Sequence, residues 1–302
     1  MLRISTITAA IALTALGASG SVSAGSFGAG IENSQWYLSE SVFDCTLSHD
    51  VPGYGKAIFQ HRAGESLRFY LEPQLPMMKP GLASVSVEAP SWRPGARPMP
   101  VARVKVEESE RPLSLGPRHT MQLVQGLLRG MAPTVTREAW YGPDPVRVRV
   151  SNINFANQYD GYRRCAGGLL PVNYDQIKRS RIPFAVDSAR LSQADRTLLD
   201  NIATYIQADP TVERIFVDGH TDRTGRRIHN RALSEERAEV VVEYLKARGV
   251  PADMITSRAH GDRFPAGSRL SENRRTTIRL QRQGDRPELQ QANGYGGSPS
   301  NG

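Results

Sequence analysis

Short runs of alternating apolar and polar residues recur through residues 25–170, and this period of two predicts β-strands. Clusters of Pro and Gly, as at 73–80 and 90–100, separate the runs. One segment differs, because its apolar residues fall at helical spacing and predict a helix over 121–131. The expected strands lie at 41–47, 56–60, 66–71, 83–87, 101–106 and 146–150. We therefore expect residues 25–170 to form an all-β domain.

The pattern changes near residue 171 to alternating strands and helices. Ser192 is expected to cap the first helix, with Asp195 as its capping-box partner. The second helix is expected to open at about Ser234 and to end before Gly249. The predicted order is strand 182–186, helix, strand 214–218, helix, strand 254–260 and strand 276–280. Residues 171–282 should therefore form a β-α-β-α-β-β sandwich with its helices on one sheet face, which makes the whole chain an α+β protein.

The two ends of the chain do not fit either domain. Arg3 precedes an apolar segment at 4–18 and then Val22-Ser23-Ala24, a small-residue cleavage site. This order is typical of a secretory signal peptide, and the segment is too short to span a membrane. We expect residues 1–24 to be removed on export. Residues 283–302 are rich in Gly, Gln, Asn and Ser and are expected to form a disordered tail.

Charge and cysteine content change this picture in two ways. The net charge is +8, or +7 once Arg3 is removed (8 − 1), and in a cytosolic protein it would suggest a nucleic-acid partner. The expected export argues against that partner.

Cys45 and Cys165 are the two cysteines of the chain. In an oxidising compartment they suggest one disulfide, with two buried free thiols as the alternative.

The most distinctive stretch joins a strand to a helix. An apolar run at 215–217 ends abruptly in small and polar residues, and the helix that follows should bring Arg237 near Asp222. A carboxylate can bind an ammonium group and a guanidinium can bind a carboxylate bidentately, so this pair suits a zwitterion. Arg237 is expected in the first helical turn, where the helix N-terminus also favours anions. The structural alternative is a turn carboxylate that binds its own backbone amides, beside an arginine that pairs with a neighbouring Glu.

Residues around this pair also occur at the spacing of a known signature. They are Gly219-His220-Thr221-Asp222, Gly225, Asn230, Leu233-Ser234, Arg237-Ala238, Gly261, Pro265 and Asn273-Arg274-Arg275. With so many positions matching in order, residues 172–282 resemble the OmpA-like peptidoglycan-binding domain. The resemblance implies that Asp222 and Arg237 hold the diaminopimelate of the cell-wall stem peptide.

The resemblance implies supporting roles for five more residues. Asn230 is expected to bridge amides of the loop and to reach the edge of the ligand. Thr221 is expected to let backbone amides approach the ligand closely. Leu233 is expected to pack on the methylene groups of diaminopimelate. Asp187 should border the pocket, and Arg275 should contact the peptide.

Neither a metal site nor a catalytic site is expected. His220 and His229 lie nine residues apart without carboxylates at ligand spacing, and His260 belongs to a different strand. The sequence has no His-Glu-x-x-His motif and no nucleophile elbow. We therefore expect a binding protein without cofactors rather than an enzyme.

The whole arrangement resembles the MotY family of flagellar motor proteins. The residues that carry this resemblance are Cys45, Cys165, 127–131 and 169–172, together with the order of the two domains. It implies a periplasmic protein whose N-terminal domain docks on the flagellar basal body ring and on a MotX-like partner. Its C-terminal domain would grip peptidoglycan and help to anchor stator proteins, in a possible homo-oligomeric ring.

Two alternatives to the motor interpretation remain open. One is a general outer-envelope tether of the OmpA or Pal type. The other is a wall-remodelling enzyme with its catalytic half at 25–170. The apolar residues of 127–131 are expected to pack in the core, with a partner-binding surface as the alternative.

Overall fold

The structure is a computed structural model, and it describes residues 25–90 and 97–285. The predicted signal peptide at 1–24 and most of the predicted tail, residues 286–302, lie outside the described residues. Within the described ranges, no helix is both long enough and apolar enough to cross a membrane.

The chain divides into two compact units that do not follow a single linear boundary. One unit holds residues up to 36, 49–58 and 69–156, and the other holds 37–48, 59–68 and the residues from 157 onwards. The domain boundary near residue 170 therefore stays a prediction.

The N-terminal part of the chain is rich in strands, as predicted. Its elements are β1 (Ser26–Gly28), β2 (Trp36–Glu40), β3 (Asp44–Val51), β4 (Gly55–Arg62), β5 (Arg68–Pro73), β6 (Gly81–Glu88), β7 (Met99–Val106), β8 (Ser114–Leu115), α1 (Pro117–Leu128), β9 (Ala132–Glu138), β10 (Pro145–Arg149) and α2 (Phe155–Gly167). The strands form two sheets in the orders β1-β10-β9-β6-β7 and β2-β3-β4-β5-β8. Each predicted strand overlaps an observed one.

The two helices of this part differ from the expectation. Helix α1 begins at Pro117, in the first helical turn where proline is favoured, and it ends before 131. Leu127 is buried, whereas Leu128 and Met121 are exposed. Helix α2 was not predicted.

The predicted disulfide is confirmed. Cys45 lies on β3 and Cys165 lies on α2, and the structure joins them with their Cα atoms 6.0 Å apart. The bond closes a sequence separation of 120 residues within one compact unit.

The C-terminal part contains a four-stranded sheet with helices on one face, which confirms the predicted order. Its elements are α3 (Tyr174–Ile177), β11 (Arg179–Pro183), α4 (Gln193–Ala208), β12 (Val212–His220), α5 (Arg227–Ala247), a short 3-10 helix (Ala252–Met254), β13 (Ile255–Ala259), α6 (Leu270–Asn273) and β14 (Arg275–Arg282). The strand order is β11-β14-β12-β13, with β13 parallel to β12 and β14 antiparallel to both of its neighbours. The core packs Ile215, Val217 and Ile278 of the sheet with Leu199, Ile202, Val241 and Leu245 of the helices.

Helix α4 starts as the sequence predicts. The Ser192 backbone amide donates to Asp195 Oδ2 at 2.9 Å, and the Asp195 amide donates to Ser192 Oγ at 3.2 Å. This reciprocal pair satisfies two donors that a helix start would otherwise leave unpaired.

Helix α5 begins earlier than predicted, at Arg227 rather than Ser234. Arg237 therefore lies in its third turn, and its expected place in the first turn is wrong. The early residues are mostly exposed, and the apolar Ile228 is 84% exposed, so no buried periodic face marks the true start. At Gly219 the strand approaches this helix closely, because a Cβ there would lie 1.9 Å from the Ser234 carbonyl oxygen.

Candidate functional site

A pocket of about 180 Å³ lies where β12 ends. One face of α5 and the residues after β11 form its sides. Its lining residues are Val186, Asp187, Thr221, Asp222, Thr224, Gly225, His229, Asn230, Leu233, Arg237 and Arg274. The structure thus brings together six of the seven predicted binding residues; Arg275 is the exception.

Asp222 is a buried, ionised carboxylate at this pocket, 6% exposed. Its Oδ1 accepts hydrogen bonds from the Thr224 amide, at 2.9 Å, and from the Thr224 hydroxyl. Its Oδ2 accepts from Arg274 Nη1 at 3.0 Å. Burial alone would raise the pKa of Asp222, but these bonds outweigh it and hold the pKa below its ordinary value.

Arg237 is fully buried at the floor of the pocket. Each of its guanidinium nitrogens donates to a backbone carbonyl: Nε to Ser188 at 2.9 Å, Nη1 to His220 at 3.0 Å and Nη2 to Ala185 at 2.9 Å. Burial lowers the pKa of Arg237. The side chain ties α5 to the end of β12 and to the segment after β11. Three of the five N–H donors of the guanidinium are used in these bonds, which leaves one on each Nη atom, and the predicted bidentate contact with a ligand stays a prediction.

Arg274 is the ion-pair partner of Asp222, and it was not predicted. Its Nε donates to the Phe184 carbonyl at 3.3 Å, which fixes the guanidinium against the pocket wall. The signal that identifies Arg274 is the phase of the following strand. Ile278 points into the core, so counting back in steps of two gives Thr276 and Arg274 on the helix side of the sheet.

Asn230, Thr221 and Leu233 hold the shape of the pocket. Asn230 Nδ2 donates to the Asp222 carbonyl at 3.3 Å, a bond to a carbonyl of the loop. The Thr221 amide donates to the Gly261 carbonyl at 2.9 Å, while its buried hydroxyl has no partner among the described residues. Leu233 is half-buried on α5.

Asp187 and His229 form the outer rim. Asp187 is exposed and lies in the left-handed backbone region, at φ 51°. Its Oδ1 is 2.8 Å from His229 Nε2. His229 was not expected to bind a metal, and its position at the rim of the pocket was not predicted.

Arg275 faces the opposite side of the sheet from the pocket. It is 7% exposed, and its Nη2 donates to the Phe264 carbonyl at 3.1 Å. Burial, followed by the nearby charge of Arg181, lowers the pKa of Arg275 to about 10. Arg275 therefore does not line this pocket, and its predicted contact with the peptide stays a prediction.

The histidines form a stack rather than a metal cluster. The rings of His220 and His260 lie 4.9 Å apart at an interplanar angle of 17°. Burial is the main cause that lowers the pKa of His220 to about 3, so this ring is neutral at physiological pH. Across residues 25–90 and 97–285, no group of three potential metal ligands is found.

Comparisons with known proteins match both parts of the chain. A family model described as the MotY N-terminal domain matches residues 27–171, and one described as the OmpA family matches residues 183–279. The sodium-type flagellar protein MotY of Vibrio parahaemolyticus is 27% identical over 260 residues, which is 83% of this chain and 88% of that protein. Outer membrane protein A of Escherichia coli O157:H7 is 34% identical over 96 residues, and the match spans 28% of its length.

Among solved structures, the peptidoglycan-associated lipoprotein from Burkholderia pseudomallei is 28% identical, with a TM-score of 0.32. That match covers 33% of this chain and 89% of the other. The fold, the site and the family match together define the C-terminal part of this chain as an OmpA family domain. With the N-terminal match added, the chain as a whole has the domain arrangement of MotY and resembles it along most of its length.

Proposed function

We propose that this chain is a non-enzymatic periplasmic component of the flagellar motor that binds peptidoglycan through diaminopimelate. The similarity to MotY and the OmpA family domain support the coarser role, a flagellar motor protein with a peptidoglycan-binding fold. The observation that carries the finer proposal is a small pocket lined by two guanidinium groups, a buried carboxylate at Asp222 and an exposed one at Asp187.

The charges of the pocket suit an amino-acid head group. Each oxygen of Asp222 already accepts from Thr224 or Arg274, but a carboxylate has about four lone-pair sites, so capacity remains for an ammonium group. Arg274 lies on the pocket wall with donors left over, and it is the better placed arginine for the ligand carboxylate. Arg237 contributes positive charge from the floor of the pocket. Leu233 offers its apolar surface to the methylene chain.

Co-sedimentation with purified peptidoglycan tests this proposal. The mature protein is compared with Asp222→Asn and Arg274→Gln, on diaminopimelate-type wall and on lysine-type wall, which lacks the second carboxylate. We expect each variant to bind diaminopimelate-type wall about tenfold more weakly, because a buried charge loses its partner. We expect wild type to prefer that wall over the lysine type.

Asp253→Asn is the matched control, because Asp253 is exposed on the short 3-10 helix. It removes the same charge away from the pocket and should bind as wild type does. Circular dichroism confirms that each variant is folded. Equal binding of wild type and both pocket variants would exclude this pocket as the wall contact.

The motor part of the proposal concerns the N-terminal region. Leu128 is 46% exposed at the end of α1, while its neighbour Leu127 is buried. We propose that Leu128 lies on the surface that meets the basal body ring or a MotX-like partner. Leu128→Asp should then abolish basal-body association and swimming while leaving wall binding intact. Normal swimming with lost wall binding in Asp222→Asn would instead favour a general envelope tether.

A further inference from the structure

The face of the four-stranded sheet that carries no helices is rich in arginine. Ile215, Val217 and Ile278 point into the core, so their strand neighbours point the other way. The register places Arg179, Arg279, Phe216 and Thr256 in one row, Arg181, Thr277, Asp218 and Arg258 in the next, and Pro183, Arg275 and His220 in a third. We call the five arginines of these rows the basic face.

The three rows that hold the basic face contain one carboxylate, Asp218. Its Oδ2 is 3.4 Å from Arg279 Nη2. Across the described parts of the chain, Arg181, Arg258 and Arg275 have no carboxylate within 4 Å of their nitrogens. The positive charge of this face is therefore not balanced by carboxylates of the described residues.

The interior of the face has unused hydrogen-bonding groups. Arg275 and His220 lie opposite each other in the register, and both are more than nine-tenths buried. Arg275 Nη1 and His220 Nδ1 have no hydrogen-bond partner among the described residues. A buried donor without a partner costs free energy. The lowered pKa of Arg275, from burial and then from Arg181, is consistent with a missing counter-charge.

The outer guanidinium groups are held in fixed orientations. Arg258 and Arg279 both stack over the Phe216 ring, at 5.4 Å and 5.0 Å from its centre. Stacked arginines lose little further freedom when they bind, and their planar forks match a carboxylate. The three rows contain no exposed large apolar side chain in the described structure, so nothing in them would insert into a lipid layer.

We propose that the basic face docks an extended acidic segment of a partner protein, with carboxylates at alternate positions. Alternate residues of a strand lie about 6.7 Å apart, which is also the spacing between successive rows of this face. An extended segment can therefore place one carboxylate against each of the first two rows, where Arg179, Arg181 and Arg258 are exposed. This contact is separate from the pocket, because Arg274 and Arg275 are adjacent in sequence but lie on opposite sides of the sheet.

Fluorescence anisotropy with a labelled Glu-Thr repeat of ten residues tests the proposal. The full mature protein is titrated against it at about 50 mM salt, where screening is weak. We expect binding that the matching Gln-Thr repeat does not show. Arg181→Glu with Arg258→Glu should weaken it about tenfold, because two exposed pairs are replaced by repulsion. Both arginines are exposed, so the double variant is expected to fold.

Arg103→Glu with Arg196→Glu is the matched control, since both side chains are exposed and lie outside the basic face. It carries the same change in net charge and should bind within about twofold of wild type. Equal weakening in both double variants would show attraction to net charge alone and overturn the proposal. So would equal binding of the two peptides, or binding of phosphatidylglycerol vesicles but not of the peptide. Wall co-sedimentation of the Arg181/Arg258 variant should match wild type.

Discussion

Removal of the Arg237 side chain should destabilise the C-terminal domain as well as alter its pocket. The guanidinium is fully buried and donates to three backbone carbonyls on two different segments. Arg237→Ala removes all three bonds and leaves the carbonyls facing a cavity. A loss of wall binding in this variant would therefore not identify a ligand contact.

The expected loss of stability follows from these bonds. Hydrogen bonds that involve a charged group contribute about 1.5–3 kcal/mol each, so three of them contribute roughly 4.5–9 kcal/mol. Water that enters the space left by the side chain can bind some of the carbonyls, and about 3–5 kcal/mol is the expected net cost. With a urea dependence of about 1–1.5 kcal/mol per molar for a domain of this size, the midpoint should fall by about 2–5 M.

Two spectroscopic signals of the same protein separate the domains. Helices α4 and α5, of 16 and 21 residues, dominate the helical signal in circular dichroism. All three tryptophans, Trp36, Trp92 and Trp140, precede residue 171, so their fluorescence follows the N-terminal part. We expect the helical transition of Arg237→Ala to move to lower urea while the fluorescence transition stays.

Arg237→Lys is the companion variant. It keeps the positive charge but cannot reach three diverging carbonyls, so most of the destabilisation should remain. A helical transition of Arg237→Ala within about 0.5 M urea of wild type would refute the structural role. Arg237 would then be free to act as a ligand contact.

Three further predictions concern pH, the disulfide and a close approach. The folded-state pKa of Asp222 is below its ordinary value, so its carboxylate should stabilise the domain above about pH 4 and lose this effect as pH falls through the folded pKa. A pH series of urea midpoints checks the sign, and the midpoint should fall less steeply towards acid pH in Asp222→Asn than in wild type, because the lowered pKa values of Asp175 and Asp209 still contribute. Reduction of Cys45–Cys165 should cost up to about 5 kcal/mol, measured as the fall in the unfolding midpoint with a reductant, and an unchanged midpoint would contradict it. Gly219→Ala should lower the thermal midpoint by several degrees, because its Cβ would clash with the Ser234 carbonyl, whereas the exposed Gly142→Ala should not.

The sequence predicts the elements around the pocket better than the orientation of individual side chains. The strand before Asp222 and the core of α5 carry strong apolar patterns, and both are observed. The first turns of α5 carry no such pattern, since they are solvated and the apolar Ile228 is exposed. That error displaced Arg237 from the third turn to the first. The structure adds a buried tie that was not predicted, and the ligand role of Arg237 stays a prediction.

The choice between Arg274 and Arg275 shows a second limit. Their identity and spacing say nothing about which of them points at the pocket. Only the phase of β14 decides this, and that phase is fixed by the burial of Ile278 and Leu280 against the helices. The information is present in the sequence but several residues away from the site, so a motif considered by itself cannot supply it.

A small pocket with a rigid floor has a consequence for anchoring. The groups that would meet the ligand are few, and a small ionic ligand gains little against water and salt, so one engagement should be weak. The three hydrogen bonds of Arg237 hold the floor of the pocket in place, so the floor has little freedom to close around the ligand and strengthen binding. An attachment that resists force then requires several copies of the protein held together, because each binding event after the first becomes intramolecular. Under the proposed function, the number of assembled copies therefore sets the strength of the anchor. A contact between the basic face and an acidic partner would change that number and leave the affinity of each pocket unchanged.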